Sequence, residues 1–204
     1  MVRLQLPVLG NADELAFVAV GSNLASKQGN SLQTVENAVL AVAKATETTA
    51  QISRFFRTPA YPLNSGPDFV NAVFAIRWTA GAADLLTILH KIEREFGRLR
   101  TVRWGARVLD LDLLALGQTV LPDLAEQEKW RDLSAEQAGQ IAPDTLILPH
   151  PRLQDRAFVL VPWADIAPDW AHPSTGLTVR QMMDALPEVD RASMTALTAA
   201  AAAQ

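Results

Sequence analysis

Between Arg98 and Asp112 the chain sets four arginines (Arg98, Arg100, Arg103, Arg107) and Trp104 directly before the pair Asp110-Leu111-Asp112. Residues two apart on a β-strand project from the same face. Asp110 and Asp112 therefore point together, and Leu109, Leu111 and Leu113 take the opposite side. Two carboxylates held side by side repel each other, and a hard divalent cation relieves that repulsion. Guanidiniums close by suit the oxygens of a phosphate chain, which they can grip in pairs. Each half alone has an ordinary reading: an Asp-x-Asp can be the wet face of a strand, and arginines in a loop can simply be solvated. Together they point to chemistry on a metal-bound polyphosphate.

Composition narrows the setting. The 204 residues suffice for one domain with a sizeable core, and 49% apolar against 20% charged residues argues for a folded globular chain. A net charge of -4 disfavours a surface devoted to nucleic acid, so phosphate recognition has to be local. The absence of cysteine excludes disulfides and zinc-thiolate sites. No apolar run is long enough for a membrane span and the N-terminus lacks a signal pattern, so a cytoplasmic protein without membrane contact is expected.

The elements that must carry these residues read as follows. Residues 1–14 form an extension. Leu15 to Val20 is an apolar strand stopped by Gly21-Ser22-Asn23, and Leu32, Val35, Val39 and Val42 mark one face of a helix beginning near Ser31. Ile52 to Arg57 predicts a second strand, ended by Thr58-Pro59, and Phe69 to Ile76 a third after a Pro- and Asn-containing loop. Leu85, Leu89, Ile92 and Phe96 repeat at helix spacing up to Gly97, and Val108 to about Leu116 is the fourth strand. Strand-helix-strand-strand-helix-strand is the α+β, ferredoxin-like (βαββαβ) pattern: helices packed on one face of an antiparallel sheet, with the other face or its loop end open for a site. Additional C-terminal helices are expected at Arg156 to Asp165 and Thr178 to Leu186. A surface insertion is expected at about 118–144, partly helical, and an Ala-rich frayed tail at 191–204. Residues 15–190 make a single domain.

These residues also carry a family likeness. Gly21-Ser-Asn-Leu24, Phe56-Arg-Thr58-Pro59, Asp68-Phe69-Val-Asn71-Ala72, Glu93-Arg-Glu-Phe-Gly97-Arg98, Arg103-Trp-Gly-Ala-Arg107-Val-Leu-Asp110-Leu-Asp112 and Leu148-Pro-His150-Pro-Arg152-Leu-Gln-Asp-Arg156-Ala-Phe158 follow one another in the chain. In that order they resemble the 6-hydroxymethyl-7,8-dihydropterin pyrophosphokinase family of folate biosynthesis, over nearly everything from Phe17 to Leu186. The resemblance implies transfer of the β,γ-pyrophosphoryl group of ATP to the hydroxymethyl oxygen of the reduced pterin, releasing AMP. It implies two Mg2+ ions on Asp110 and Asp112, with Arg98, Arg107, Asp110 and Asp112 catalytic. Glu93, Arg98, Arg100, Trp104, Arg107, His150 and Arg156 fall on the ATP side. Thr58, Pro59, Tyr61, Phe69, Asn71, Trp104 and Phe158 fall on the pterin side. There Phe69 and Phe158 stack on the flat ring, Asn71 reads its edge, and Trp104 covers the closed site. The implied partners are those two small molecules, acting on a monomer.

Two other readings stand beside this one: a ferredoxin-like RNA-binding module, and a catalytically silent pterin-binding homologue. Against the first, the strands lack aromatic ladders flanked by basic residues. Against the second, both aspartates, Arg98 and Arg107 are retained. The chain also departs from the family pattern. The loop from Arg100 to Trp104 is one residue short, the segment after Gly117 is longer by about twenty residues, and His90 and Thr145 stand where a glutamine and an arginine occur near ATP. No residue reads as an unambiguous general base; Asp112 and a metal-bound water both fit.

Overall fold

Near-continuous apolar runs create the centre of the sheet. In the computed structural model, which describes residues 15–27, 29–60, 66–97 and 108–197, the central strands are β1 (Leu15–Ser22) and β4 (Phe69–Arg77), buried on both faces for most of their length. Strand β5 (Asp110–Leu116) pairs with the free side of β1 and forms one edge. The order is β5-β1-β4-β3-β6, and every ladder is antiparallel.

The single strand expected over Ile52 to Arg57 is two short pieces, β2 (Gln51–Ile52) and β3 (Phe56–Thr58), both on β4. Ser53 interrupts them: its backbone N–H bonds Val73 O at 2.9 Å, while its hydroxyl accepts from Val73 N at 3.1 Å. A side chain has taken over one rung of the ladder. The tail expected to fray contains β6 (Thr195–Ala196) instead. It pairs with Phe56 and Arg57 and continues through Leu197 N to Phe55 O at 2.8 Å. The backbone polar groups at the outer edge of β3 recruit that segment, whatever its side chains.

Helix α1 (Ser31–Ala45) starts at an Asn30–Gln33 capping box, and α2 (Ala82–Glu95) ends against Gly97 at φ +89°. Both pack on one face of the sheet, over Val18, Val20, Ala72, Phe74, Leu111 and Leu113. The opposite face is not left open. Helices α5 (Ala157–Ile166) and α6 (Val179–Ala185) cover Phe17, Ala19, Val73, Ala75, Leu114 and Ala115. Trp163 is the centre of that layer, with its ring 5.1 Å from Phe17 and stacked 4.7 Å from Trp170. Leu114 and Ala115 reach this face in succession because β5 bulges where Phe17 and Val18 skip Leu114.

Within the expected insertion lie α3 (Leu124–Arg131) and α4 (Ala135–Gln140), and α7 (Glu188–Ala192) precedes β6. Among the described residues, no helix is long and apolar enough to cross a membrane.

Candidate active site

Both faces are covered, and at the sheet end where α5 begins Phe69, Asp110, Asp112 and Arg156 are each partly exposed. Register places the strand residues. Gly21 pairs with Asn71 on one side and with Asp110 on the other, so Asp110, Gly21 and Asn71 form one row across three strands. The next row is Asp112, Ala19 and Val73. Leu109, Leu111 and Leu113 all lie in the core on the α1–α2 side, so alternation directs Asp110 and Asp112 to the α5 side, as their spacing predicts. Neighbouring strands lie ~4.8 Å apart, so two strand steps separate Asp110 from Asn71 by roughly 10 Å.

Gly21 keeps the middle of that row clear. A Cβ there would stand 2.6 Å from Asn71 Oδ1 and 3.9 Å from the Phe69 ring. Asn71 is 7% exposed and donates through Nδ2 to Thr58 Oγ1 at 2.7 Å. Its carboxamide is thereby fixed in orientation. Phe69 is half-buried at the start of β4 and Pro59 is exposed beside Thr58. Asn23, 4% exposed in the Gly-Ser-Asn turn, donates to Pro67 O at 3.1 Å and holds the end of the loop that leads to Phe69.

Opposite these, Arg156 caps the start of α5. Its Nη1 lies 3.3 Å from Asp112 Oδ2, in a contact to one carboxylate oxygen with both side chains partly exposed. The same guanidinium sits 5.6 Å over the ring of Phe158, which is 39% exposed. Phe158 thus keeps part of its ring in contact with solvent while the guanidinium lies over it.

His150 approaches from a strap alongside β5. Its N–H bonds Leu114 O at 2.8 Å, and its ring Nδ1 accepts from Arg152 N at 3.1 Å. Nδ1 is therefore the unprotonated nitrogen and Nε2–H is the donor. Desolvation, reinforced by the Arg156 guanidinium, pushes the imidazole down to about 3, while Asp110 pulls the other way. Burial thus favours the neutral imidazole, whose Nε2–H is left as the donor.

Glu93, expected on the nucleotide side, is 1% exposed on the last turn of α2, and its Oε1 accepts the N–H of Leu111 at 2.8 Å. Leu111 lies between the two aspartates, so Glu93 holds the backbone that presents them. An edge strand has backbone donors to satisfy, and this buried carboxylate satisfies one.

Two carboxylates on one strand suit a cation that keeps several waters and substrate oxygens among its ligands, as Mg2+ does. Among the described residues no cluster of three or more His, Asp or Glu stands ready to hold a metal ion. Tyr61, Arg98, Arg100, Trp104 and Arg107 lie outside the described residues. The structure thus brings together Asp110, Asp112, Arg156 and His150 on one side, and Thr58, Asn71 and Phe69 on the other. Gly21 went unread as a site residue, because a glycine after a strand reads as a stop.

Comparison with known proteins adds identity to this geometry. The family model for 7,8-dihydro-6-hydroxymethylpterin-pyrophosphokinase matches residues 17–168. A Pseudomonas aeruginosa protein named 2-amino-4-hydroxy-6-hydroxymethyldihydropteridine pyrophosphokinase is 36% identical over 173 residues, covering 84% of this chain and 91% of that one. One of the same name from Synechocystis is 35% identical over 171 residues, covering 83% and 74%. Among solved structures, a Plasmodium falciparum HPPK-DHPS shares the fold at TM-score 0.57 and 14% identity; the match covers 83% of this chain and 44% of that longer one. The chain belongs to the 7,8-dihydro-6-hydroxymethylpterin-pyrophosphokinase family.

Proposed function

We propose that this protein transfers the pyrophosphoryl group of ATP to 6-hydroxymethyl-7,8-dihydropterin in a magnesium-dependent reaction that releases AMP. The observation that carries this is the cross-strand row Asp110–Gly21–Asn71. It has a carboxylate at one end and an amide at the other, two strand steps apart, which supports a cation bound at Asp110 and a pterin edge read by Asn71. In the transfer, the hydroxymethyl oxygen forms a bond to the β-phosphorus, the bond from that phosphorus to the α–β bridging oxygen breaks, and the hydroxyl proton is released.

Asp110 and Asp112 would hold magnesium. When bound, that ion neutralises phosphate oxygens and aligns the chain for in-line attack. The remaining work is positioning. Asn71, fixed by Thr58, offers an amide to the polar edge of the pterin, and Phe69 and Phe158 supply faces for its ring. His150 offers one N–H to a phosphate oxygen and takes up no proton. Arg156 holds Asp112 in place and adds positive charge on the nucleotide side. Arg98, Arg100, Arg107, Trp104 and Tyr61 complete the site on the strength of the family likeness.

The test is to mix protein, ATP, Mg2+ and the reduced pterin and to identify the nucleotide product. AMP in step with pterin diphosphate is expected. Formation of ADP, or AMP formation that ignores the pterin, would overturn the reading.

A further inference from the structure

The Pro149–His150 peptide unit is held from both ends. Its N–H donates to Leu114 O at 2.8 Å, on the bulge of β5. Its carbonyl, Pro149 O, accepts from Gln127 Nε2 at 3.3 Å. Gln127 belongs to α3, inside the 118–144 segment that lengthens this chain relative to the family pattern. It is fully buried, and among the described residues it is the one buried side chain of that helix. A helix that buries an amide where an apolar side chain would fill the space is using the amide's hydrogen bonds.

Both ends of the carboxamide are engaged. Gln127 Oε1 accepts from Ser174 Oγ at 3.3 Å, and Ser174 Oγ in turn lies 3.0 Å from His172 Nδ1 and accepts from Arg131 Nη1 at 2.7 Å. Gln127 therefore cannot rotate without breaking a second contact. Arg152 adds another tie, donating through Nη1 to Leu133 O at 2.8 Å. Leu121 and Leu148 exchange backbone bonds of 2.8 and 3.2 Å. The Gln127–Pro149, Leu133–Arg152 and Leu121–Leu148 contacts run from the 118–144 segment to the strap at 148–152, while Ser174 and His172 hold Gln127 from the other side.

We infer that the 118–144 segment is a brace for that strap and that Gln127 is a positioning residue, acting through the Pro149–His150 peptide to aim the His150 imidazole at the nucleotide. With the peptide plane fixed by Gln127 and Leu114, and the ring fixed by Arg152 N, Nε2–H is left with one direction. This rests on the proposed placement of His150 on the ATP side.

The experiment is a double-mutant cycle in the full-length protein, read by calorimetric binding of an ATP analogue with Mg2+. Gln127→Met keeps the volume and removes both hydrogen bonds. It should weaken nucleotide binding about tenfold, the equivalent of one well-placed contact, while pterin affinity stays within about twofold. In a His150→Ala background the same change should add less than about twofold, since there is no imidazole left to aim. Amide exchange at His150 should rise in Gln127→Met, and Gln127→Leu, a second apolar replacement, should reproduce the whole pattern. Equal losses with and without His150 would reduce Gln127 to a general stabiliser and overturn the inference. If His150→Ala weakens binding and Gln127→Met does not, the positioning role fails alone. If His150→Ala leaves nucleotide binding unchanged, the ATP-side reading of His150 fails, and this inference falls with it.

Discussion

Asp110 and Asn71 are both register partners of Gly21, one on each side of β1. A carboxylate and a carboxamide thus stand in a single row of the sheet. Their separation is set by strand spacing, which is among the stiffest dimensions a protein has.

The glycine in that row should be irreplaceable. Gly21→Ala puts a methyl carbon 2.6 Å from Asn71 Oδ1, so the carboxamide has to turn away from Thr58. Overpacking of this kind costs about 1–3 kcal/mol. Pterin affinity should fall at least about tenfold, and nucleotide affinity should hold. Separate titrations with each ligand check this; a variant that binds pterin normally would show that Asn71 does not read it.

Removing one aspartate should stop the chemistry with the fold intact. Asp112→Ala deletes half the cation edge and leaves Arg156 without its 3.3 Å partner. That pair is partly exposed, so stability should change by less than about 1 kcal/mol. The rate of AMP formation should fall by about two orders of magnitude or more, at several kcal/mol of lost transition-state stabilisation. Mn2+ binding followed by electron paramagnetic resonance gives a readout independent of turnover. Unchanged Mn2+ binding would remove Asp112 from the metal site.

Glu93 should prove to be a strand anchor. Glu93→Ala leaves the buried Leu111 N–H without its 2.8 Å acceptor, a loss of about 1–3 kcal/mol in unfolding free energy. Because Leu111 sits between the aspartates, Mn2+ binding should weaken as well. Glu93→Gln retains an acceptor oxygen and should recover most of both. If the glutamine variant is as impaired as the alanine variant, the negative charge rather than the hydrogen bond is what matters.

Acid should destabilise the fold through His172, which is buried, and through the partly buried His150. His172 is 1% exposed, and desolvation followed by the Arg131 charge lowers it from 6.5 to about 4. The unfolded chain therefore takes up this proton first as pH falls. The contribution is complete above about pH 6.5 and is lost from there down toward pH 4, with a slope of up to about 1.4 kcal/mol per pH unit. His150, pushed down to about 3, acts in the same direction. Chemical denaturation at pH 7.5 and pH 5 should show the loss, and His172→Gln should reduce it. Parallel pH profiles for the two proteins would count against this origin.

The βαββαβ order was legible in the chain because each element satisfies a local rule. A short apolar run after a turn-rich loop marks Phe69 to Ile76, a 3.6-residue period marks Leu85 to Ile92, and Gly97 ends that helix. Asp110 and Asp112 were legible for the same reason, since pleating alone makes them share a face. Where local rules compete with distant partners, the reading failed. Ile52 to Arg57 looked continuous because nothing local announces that Ser53 will bond Val73 across the sheet. Residues 195–197 looked like an unstructured tail because pairing with Phe55–Arg57 uses backbone, which is the same in every sequence. Of the two openings expected, the second face or the loop end, the first is closed by α5 and α6, which follow the βαββαβ core in the chain.

Sequence by itself determined the order of elements, the shared face of the two aspartates and the family to which the chain belongs, all of which depend on residue type and short spacing. Tertiary structure alone decided that Gly21 stands between Asp110 and Asn71, that Glu93 turns inward to Leu111, and that Gln127 reaches the peptide before His150. Those are contacts between segments far apart in the chain, and their partners are chosen by how whole layers pack, which no local pattern encodes.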